Sequence, residues 1–303
     1  MKHVNMVVAA AATLAFAGQA LAEGPGITEF RIGVLGGENA NDRLRSNECV
    51  RVAMEELLGV PTRVFAPADY NAVVEGLLGG NIDMAWLGPS AYAKAYLTDP
   101  EAVEPVLVKV NTDKSFGYIA TMFARADSGI TSLEDAKGKK FAFGDPNSAS
   151  GYLIPNYELN KAGIGTQSGE YFGEVVFSGG HEQSIVGVFN GDFDVSLTWA
   201  DGLGDWEDGY NSGALRKAAD AGLVDMTQLV EIWRSPVIVE GPIVLRKSLP
   251  ERVKIDVTGF LASLGFMDPE CAYTFMAGEV LGLKPVKHAD YENIVEVRRA
   301  LGN

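Results

Sequence analysis

The chain has 303 residues, 47% of them apolar, with 40 acidic against 25 basic side chains and a formal net charge of −15. That balance weighs against nucleic acid and anionic membrane as partners, because both repel a polyanion. The apolar share is enough to build two lobes of ordinary domain size, each with its own core, and excludes a disordered chain.

Residues 1–22, MKHVNMVVAAAATLAFAGQALA, carry Lys2, an apolar run from Met6 to Ala17, and Ala20-Leu21-Ala22 as a small-residue cleavage site. This is the pattern of a secretory signal peptide cut after Ala22 and predicts an exported, periplasmic protein. A membrane anchor would need about 18 or more apolar residues in one run. From Phe30 the chain alternates: strand FRIGVLGG, helix NDRLRSNECVRVAMEELLG, strand TRVFAP, helix YNAVVEGLLGG, strand IDMAWLG, helix SAYAKAYL. Gly36 and Gly37 read as a turn after the first strand.

A second set begins near Gly117 with GYIATMFAR, a short SLEDAKG helix, strand KKFAFG, a helix from Ser148, strand GEVVFSG, helix HEQSIVGVFNG and strand FDVSLTWA. Strands alternating with helices predict parallel βαβ units. The tail VEIWRSPVIVEGPIVLRKSLP supplies an apolar strand pair, followed by helices over 251–264 and 268–281 and the amphipathic ending YENIVEVRRALG. We expect a two-lobed α/β fold, with lobe one from 28–117 and 236–303 and lobe two from 118–235. Ligands of open α/β sheets sit beyond the carboxyl ends of strands, so the cleft between lobes is the expected site.

The stretch FAFGDPNSASGYLIP runs a strand into a helix that starts with Ser148, Ala149, Ser150 and Gly151. The first N–H groups of a helix lack internal partners and carry the positive end of its dipole, which makes such a start an anion site. An ordinary N-cap would use one serine. Two hydroxyls, and a glycine that lets a ligand reach the backbone, exceed that need. WLGPSAY repeats the form in lobe one with Ser90, either as a second donor set or as a Pro-assisted helix entry. His181 and Glu182 open a helix after FSGG, where an imidazole can donate to an anion. Tyr70, Tyr118 and Trp199 stand near element ends, for packing or for ligand contact.

Cys49 and Cys271 are the only cysteines. An oxidising compartment permits a bridge between them, and the sequence leaves both states open. No Cys and His cluster has metal spacing, and no cofactor is expected. There is no GxSxG, no phosphate-binding GxxxxGKS/T loop and no GxGxxG dinucleotide loop, which points to a binding protein rather than an enzyme.

GDPNSASGYLIP with GGHE downstream, APADY and SFGY upstream, and WRSP and GPIVLRK near the end resemble the phosphonate-binding periplasmic proteins of ABC importers, the PhnD-like group, from Phe30 to at least Lys247. The resemblance implies that Ser148, Ala149 and Ser150, with Tyr70 and His181, hold the phosphonate oxygens, and that Tyr118 stands at another ligand-facing position. Ala149 stands where the family usually has threonine, so one hydroxyl donor is replaced by a backbone N–H alone. Aminophosphonate binders of this group meet the amine with two acids. The first falls on Asp201, and the second on Gly241, with Glu240 one residue away. The implied function is capture of a phosphonate, best 2-aminoethylphosphonate, for a membrane ABC permease by a monomer. Phosphite, phosphate or a simple alkylphosphonate is the alternative ligand, and an enzyme acting on a phosphoester the alternative class.

Overall fold

The computed structural model describes residues 25–36 and 39–302. The expected signal peptide and Gly37 lie outside the described residues. In chain order the first part folds as β1 (Phe30–Gly33), α1 (Ala40–Leu58), β2 (Thr62–Phe65), α2 (Tyr70–Leu78), β3 (Met84–Trp86), α3 (Pro89–Thr98) and β4 (Val103–Val110). The middle follows as β5 (Gly117–Arg125), β6 (Lys140–Phe143), a π-helical turn at Ala149–Leu153 that runs into α4 (Ile154–Lys161), β7 (Glu174–Phe177), α5 (His181–Asn190), β8 (Val195–Ala200), α6 (Ala214–Asp220), β9 (Leu229–Arg234) and β10 (Ile238–Val239). The tail is β11 (Pro242–Arg246), α7 (Glu251–Met267), α8 (Pro269–Phe275), β12 (Gly282–Pro285) and α9 (Glu292–Ala300).

These strands form two six-stranded sheets. One has the order β12-β4-β11-β3-β1-β2; the other has the order β10-β5-β8-β6-β7, with β9 also on β5. The βαβ units give the expected parallel pairs, β1 with β2 and β3, and β6 with β7 and β8. Strands that cross between the sheets pair antiparallel instead, as β11 does with β3 and β4, and β5 with β8. The chain passes between sheets after β4 and again between β10 and β11. The fold is α/β and two-lobed.

Periodicity explains the helices that flank the sheets. In α2, Tyr70, Val73, Val74 and Leu77 recur at helical spacing and are buried. Asp69 caps this helix by accepting the Ala72 N–H. α1 stops at Gly59, whose φ of 66° is left-handed and whose N–H returns to the Glu55 carbonyl. Val50, Met54, Leu261 and Phe275 cover one face of the first sheet, and Val74, Leu77 and Tyr92 the other. Cys49 and Cys271 are bonded, with Cα atoms 5.9 Å apart, which fastens α1 to α8.

Three local readings change. SLEDAKG is a run of turns, not a helix. The Asp135 carboxylate there accepts from the Thr131 N–H and from the Thr131 and Ser132 hydroxyls, offering the backbone an alternative to helix. The helix expected over 268–281 ends at Phe275, because Ala277 and Gly278 turn left-handed, with φ 59° and 132°. β4, α6 and β12 were not anticipated from the pattern. The junction between lobes is filled by Ile294 and Val295 of α9, packed with Ala93, Tyr118 and Leu153.

Candidate functional site

A cavity of about 170 Å³ lies between the two sheets. One wall is the start of the π-helical turn. Ser148 is its N-cap and its hydroxyl accepts the Gly151 N–H at 2.9 Å. The Ala149 and Ser150 N–H groups come at the unpaired end of the helix, and both residues line the cavity with Ser148. Gly151 does not line it. Its bare Cα fits under Gly144, and an added Cβ would come to 2.9 Å from the Ser148 hydroxyl and 3.3 Å from the Gly144 Cα. The glycine therefore serves packing, and its N–H is already taken by Ser148.

His181, the first residue of α5, lines the same wall and bridges Thr198 and Ser148. Its Nδ1 is 3.2 Å from the Thr198 hydroxyl and its Nε2 is 3.3 Å from the Ser148 hydroxyl. Burial pushes the imidazole down to about 4, so it is neutral at ordinary pH. The Thr198 hydroxyl can donate to Nδ1, and in that tautomer Nε2–H is the donor facing the Ser148 hydroxyl at the cavity wall. Tyr118 opens from β5 and is bonded to the Ser150 side chain; burial, and then the Glu240 charge, hold its phenol far above the usual range, so it stays an O–H donor. Tyr70 lines the cavity from α2, and its N–H donates to Asp145 Oδ2 at 3.4 Å across the cleft.

The opposite wall comes from the first lobe. Gly36, Trp86, Gly88 and Pro89 line it, as do the cations Arg43 and Lys217, the latter from the second lobe. Arg43 reaches the carbonyls of Leu35 and Pro67 at 3.0 and 2.9 Å. Ser90 does not line the cavity. Its hydroxyl is engaged by Arg298 Nη1 at 2.8 Å, and Arg298 Nη2 reaches Asn147 of the other lobe at 2.8 Å. Sequence reading missed Arg43, Lys217 and the run Thr274, Phe275 and Ala277. Arg43 was in sight as a lone arginine on the buried side of α1; Ala277 offered no signal.

Both expected acids are buried, but in different places. Glu240 is the only carboxylate among the described residues that line the cavity. It reaches the cavity because 240–241 is an irregular link between strands, where strand alternation does not apply. Position 241 has no room for an acid, since a Cβ there would lie 2.1 Å from the Leu87 carbonyl oxygen. Asp201 stands behind the lining, 7% exposed, its Oδ1 accepting the Leu203 N–H at 3.1 Å. Burial raises its pKa, against which the Leu203 and Ser212 N–H groups and the charge of Lys109 pull it down. Lys109, fully buried at the end of β4, places its Nζ 3.1 Å from Glu240 Oε2 and donates to the Ser212 hydroxyl at 3.1 Å.

A family profile described as the periplasmic substrate-binding protein of phosphonate ABC transporters matches residues 32–291. The chain belongs to this family. It is 30% identical over 251 residues to the phosphonates-binding periplasmic protein of Escherichia coli, covering 81% of this chain and 68% of that one. It is 28% identical over 280 residues to the phosphate-import protein PhnD of Mycolicibacterium smegmatis, covering 88% and 84%. Among solved structures, PhnD1 of Prochlorococcus marinus in complex with methylphosphonate superposes with a TM-score of 0.74 at 20% identity, covering 91% and 98%. A binding-protein component of a phosphonate ABC transporter from Pseudomonas aeruginosa gives 0.77 at 23%, covering 89% and 85%. These likenesses fix the fold. The family's proteins are periplasmic substrate-binding components of transporters, which sets this chain among periplasmic transport proteins.

Proposed function

We propose that the chain captures a small phosphonate or a related phosphorus oxyanion in this cleft and presents it to a membrane ABC permease. One observation carries the reading: Ser148, Ser150, Tyr118 and a neutral His181 converge with two helix-start N–H groups on one cavity wall of a strongly acidic protein. Neutral donors at a dipole end hold an oxyanion without a bulk positive charge. The roles follow from chemistry. Ser148, Ser150, Tyr118 and Tyr70 donate hydroxyl protons, the Ala149 and Ser150 N–H groups complete the cradle, and His181 donates from Nε2.

The moving bodies in this reading are the sheet of β1–β4, β11 and β12 and the sheet of β5–β10, each with its helices, closing about the two crossings; β10 thus goes with 118–235 and not with 236–303. An anion that touches both walls favours the closed arrangement by its differential contacts. 2-Aminoethylphosphonate, the finer expectation, needs an acid open to its ammonium. Glu240 already has a lysine against it. That favours ligands with uncharged tails, with phosphite and phosphate as the competing oxyanions, in keeping with the phosphate-import name of the mycobacterial relative.

The test is calorimetry of the chain against methylphosphonate, ethylphosphonate, phosphite, phosphate and sulfate. Saturable one-to-one binding of a phosphorus anion, with sulfate weaker, is expected. Absence of binding across the panel, or turnover of a phosphoester, would overturn the reading.

A further inference from the structure

An alkylammonium ligand is recognised in a buried site by two things, a carboxylate to pair with and an aromatic face to lie on. This cleft contains both, and both are occupied from within. Lys109 Nζ lies 3.1 Å from Glu240 Oε2 and 4.7 Å from the centroid of the Trp199 ring, and it donates to the Ser212 hydroxyl. Glu240 and Trp199 line the cavity, while Lys109 sits behind them with its side chain wholly out of solvent. Glu240 Oε2 has no aligned hydrogen bond, so it meets Lys109 as a bare charge contact, and Oε1 is turned to the Gly241 N–H at 3.1 Å.

The position of the lysine is fixed by the fold. Lys109 pairs with Leu283 of β12 in the first sheet, and its target Ser212 belongs to the other lobe, where it bridges to Gly278. The ammonium is thus held at the seam between lobes. With Glu240 compensated, the lining offers no further acid among the described residues. A ligand's own ammonium would arrive desolvated beside a fixed positive charge, with its carboxylate already paired.

We infer that Lys109 is a built-in alkylammonium that determines specificity: it fills the recognition site for a cationic tail, so the cleft selects phosphorus oxyanions with small uncharged substituents and rejects aminophosphonates. This rests on the phosphonate reading of the cleft and adds to it the class of substituent accepted.

The experiment compares 2-aminoethylphosphonate with propylphosphonate, its uncharged isostere, and with methylphosphonate, by calorimetry on three proteins. Wild type should bind an uncharged phosphonate at least tenfold more tightly than 2-aminoethylphosphonate. In Lys109→Met the freed Glu240 should move the ratio toward 2-aminoethylphosphonate by tenfold or more. Lys109→Met combined with Glu240→Gln removes the Lys109–Glu240 pair, and the shift should vanish. Should the single variant fail to fold, the wild-type ratio still decides. Wild type binding 2-aminoethylphosphonate as tightly as its isostere, or a ratio unmoved in Lys109→Met, would overturn the role of Lys109 and leave the phosphonate reading standing. Binding of none of the three ligands would instead remove the phosphonate reading, and this inference with it.

Discussion

Burial holds His181 neutral down to about pH 4, whereas an imidazole in an unfolded chain takes up its proton near 6.5. Above 6.5 both states are neutral and the group adds no penalty. As pH falls from 6.5 toward 4, the unfolded chain binds a proton that the folded chain refuses, and stability declines by about 3 kcal/mol at the lower end. Urea unfolding of the ligand-free protein should show this decline, and His181→Gln should lack it. The raised carboxyls of Asp145 and Asp201 act in the opposite direction but are common to both proteins, so the difference isolates His181. Identical pH profiles would refute the neutral imidazole. Ser150→Ala removes a hydroxyl from the oxyanion cradle, and phosphonate binding should weaken by about 1–3 kcal/mol, read by calorimetry. At this scale the sequence was legible where chemistry is local: two serines at a helix start announce donors. It was silent on Lys109, a single lysine among valines in VLVKV, because only the return of β12 and the approach of Ser212 bury it.

The elements around the cleft are tied together by few contacts, and each tie has a measurable consequence. The Cys49–Cys271 bond closes a loop with a sequence separation of 222 between α1 and α8. Replacing both cysteines with alanine should lower unfolding stability by about 2–5 kcal/mol in chemical denaturation while leaving ligand affinity of the folded protein within twofold. An unchanged denaturation midpoint would show that the bond carries no stability. Arg298 of α9 spans the lobes by holding Ser90 on one side and Asn147 on the other, and neither Arg298 nor Asn147 lines the cavity. Asn147→Ala should therefore weaken phosphonate binding roughly tenfold by loosening closure, about 1.4 kcal/mol. Equal affinities would separate this strut from closure. Most elements could be read from alternation, because βαβ units repeat the two periods plainly. SLEDAKG misled because its Asp and Ser side chains compete for the backbone. The helix after Asp268 was overextended because nothing in CAYTFMAGEVLG foretells that Ala277 adopts a left-handed φ of 59°.

For the whole molecule, the contacts that cross the cleft describe a closed arrangement. The Asn39 N–H reaches Glu182 Oε2 at 3.1 Å, Tyr70 reaches Asp145, and Arg298 reaches Asn147. Small-angle scattering should report a smaller radius of gyration on saturation with a tight phosphonate, and unchanged scattering would remove ligand-driven closure. The two-lobed plan was visible in the repeated strand and helix grammar. The composition of the cleft was not, because its walls come from β1, β3, the π-helical turn, the start of α5, the link at 240–241 and the end of α8 with Ala277, far apart in the chain. The most direct measurement is a crystal structure of the chain with methylphosphonate. The account predicts phosphonate oxygens within about 3 Å of the Ser148 and Ser150 hydroxyls, the Tyr118 O–H and His181 Nε2, a hydrogen-bonding distance, with the methyl group toward Trp199. A ligand found outside this cleft, or held in it only by Arg43 and Lys217, would contradict it.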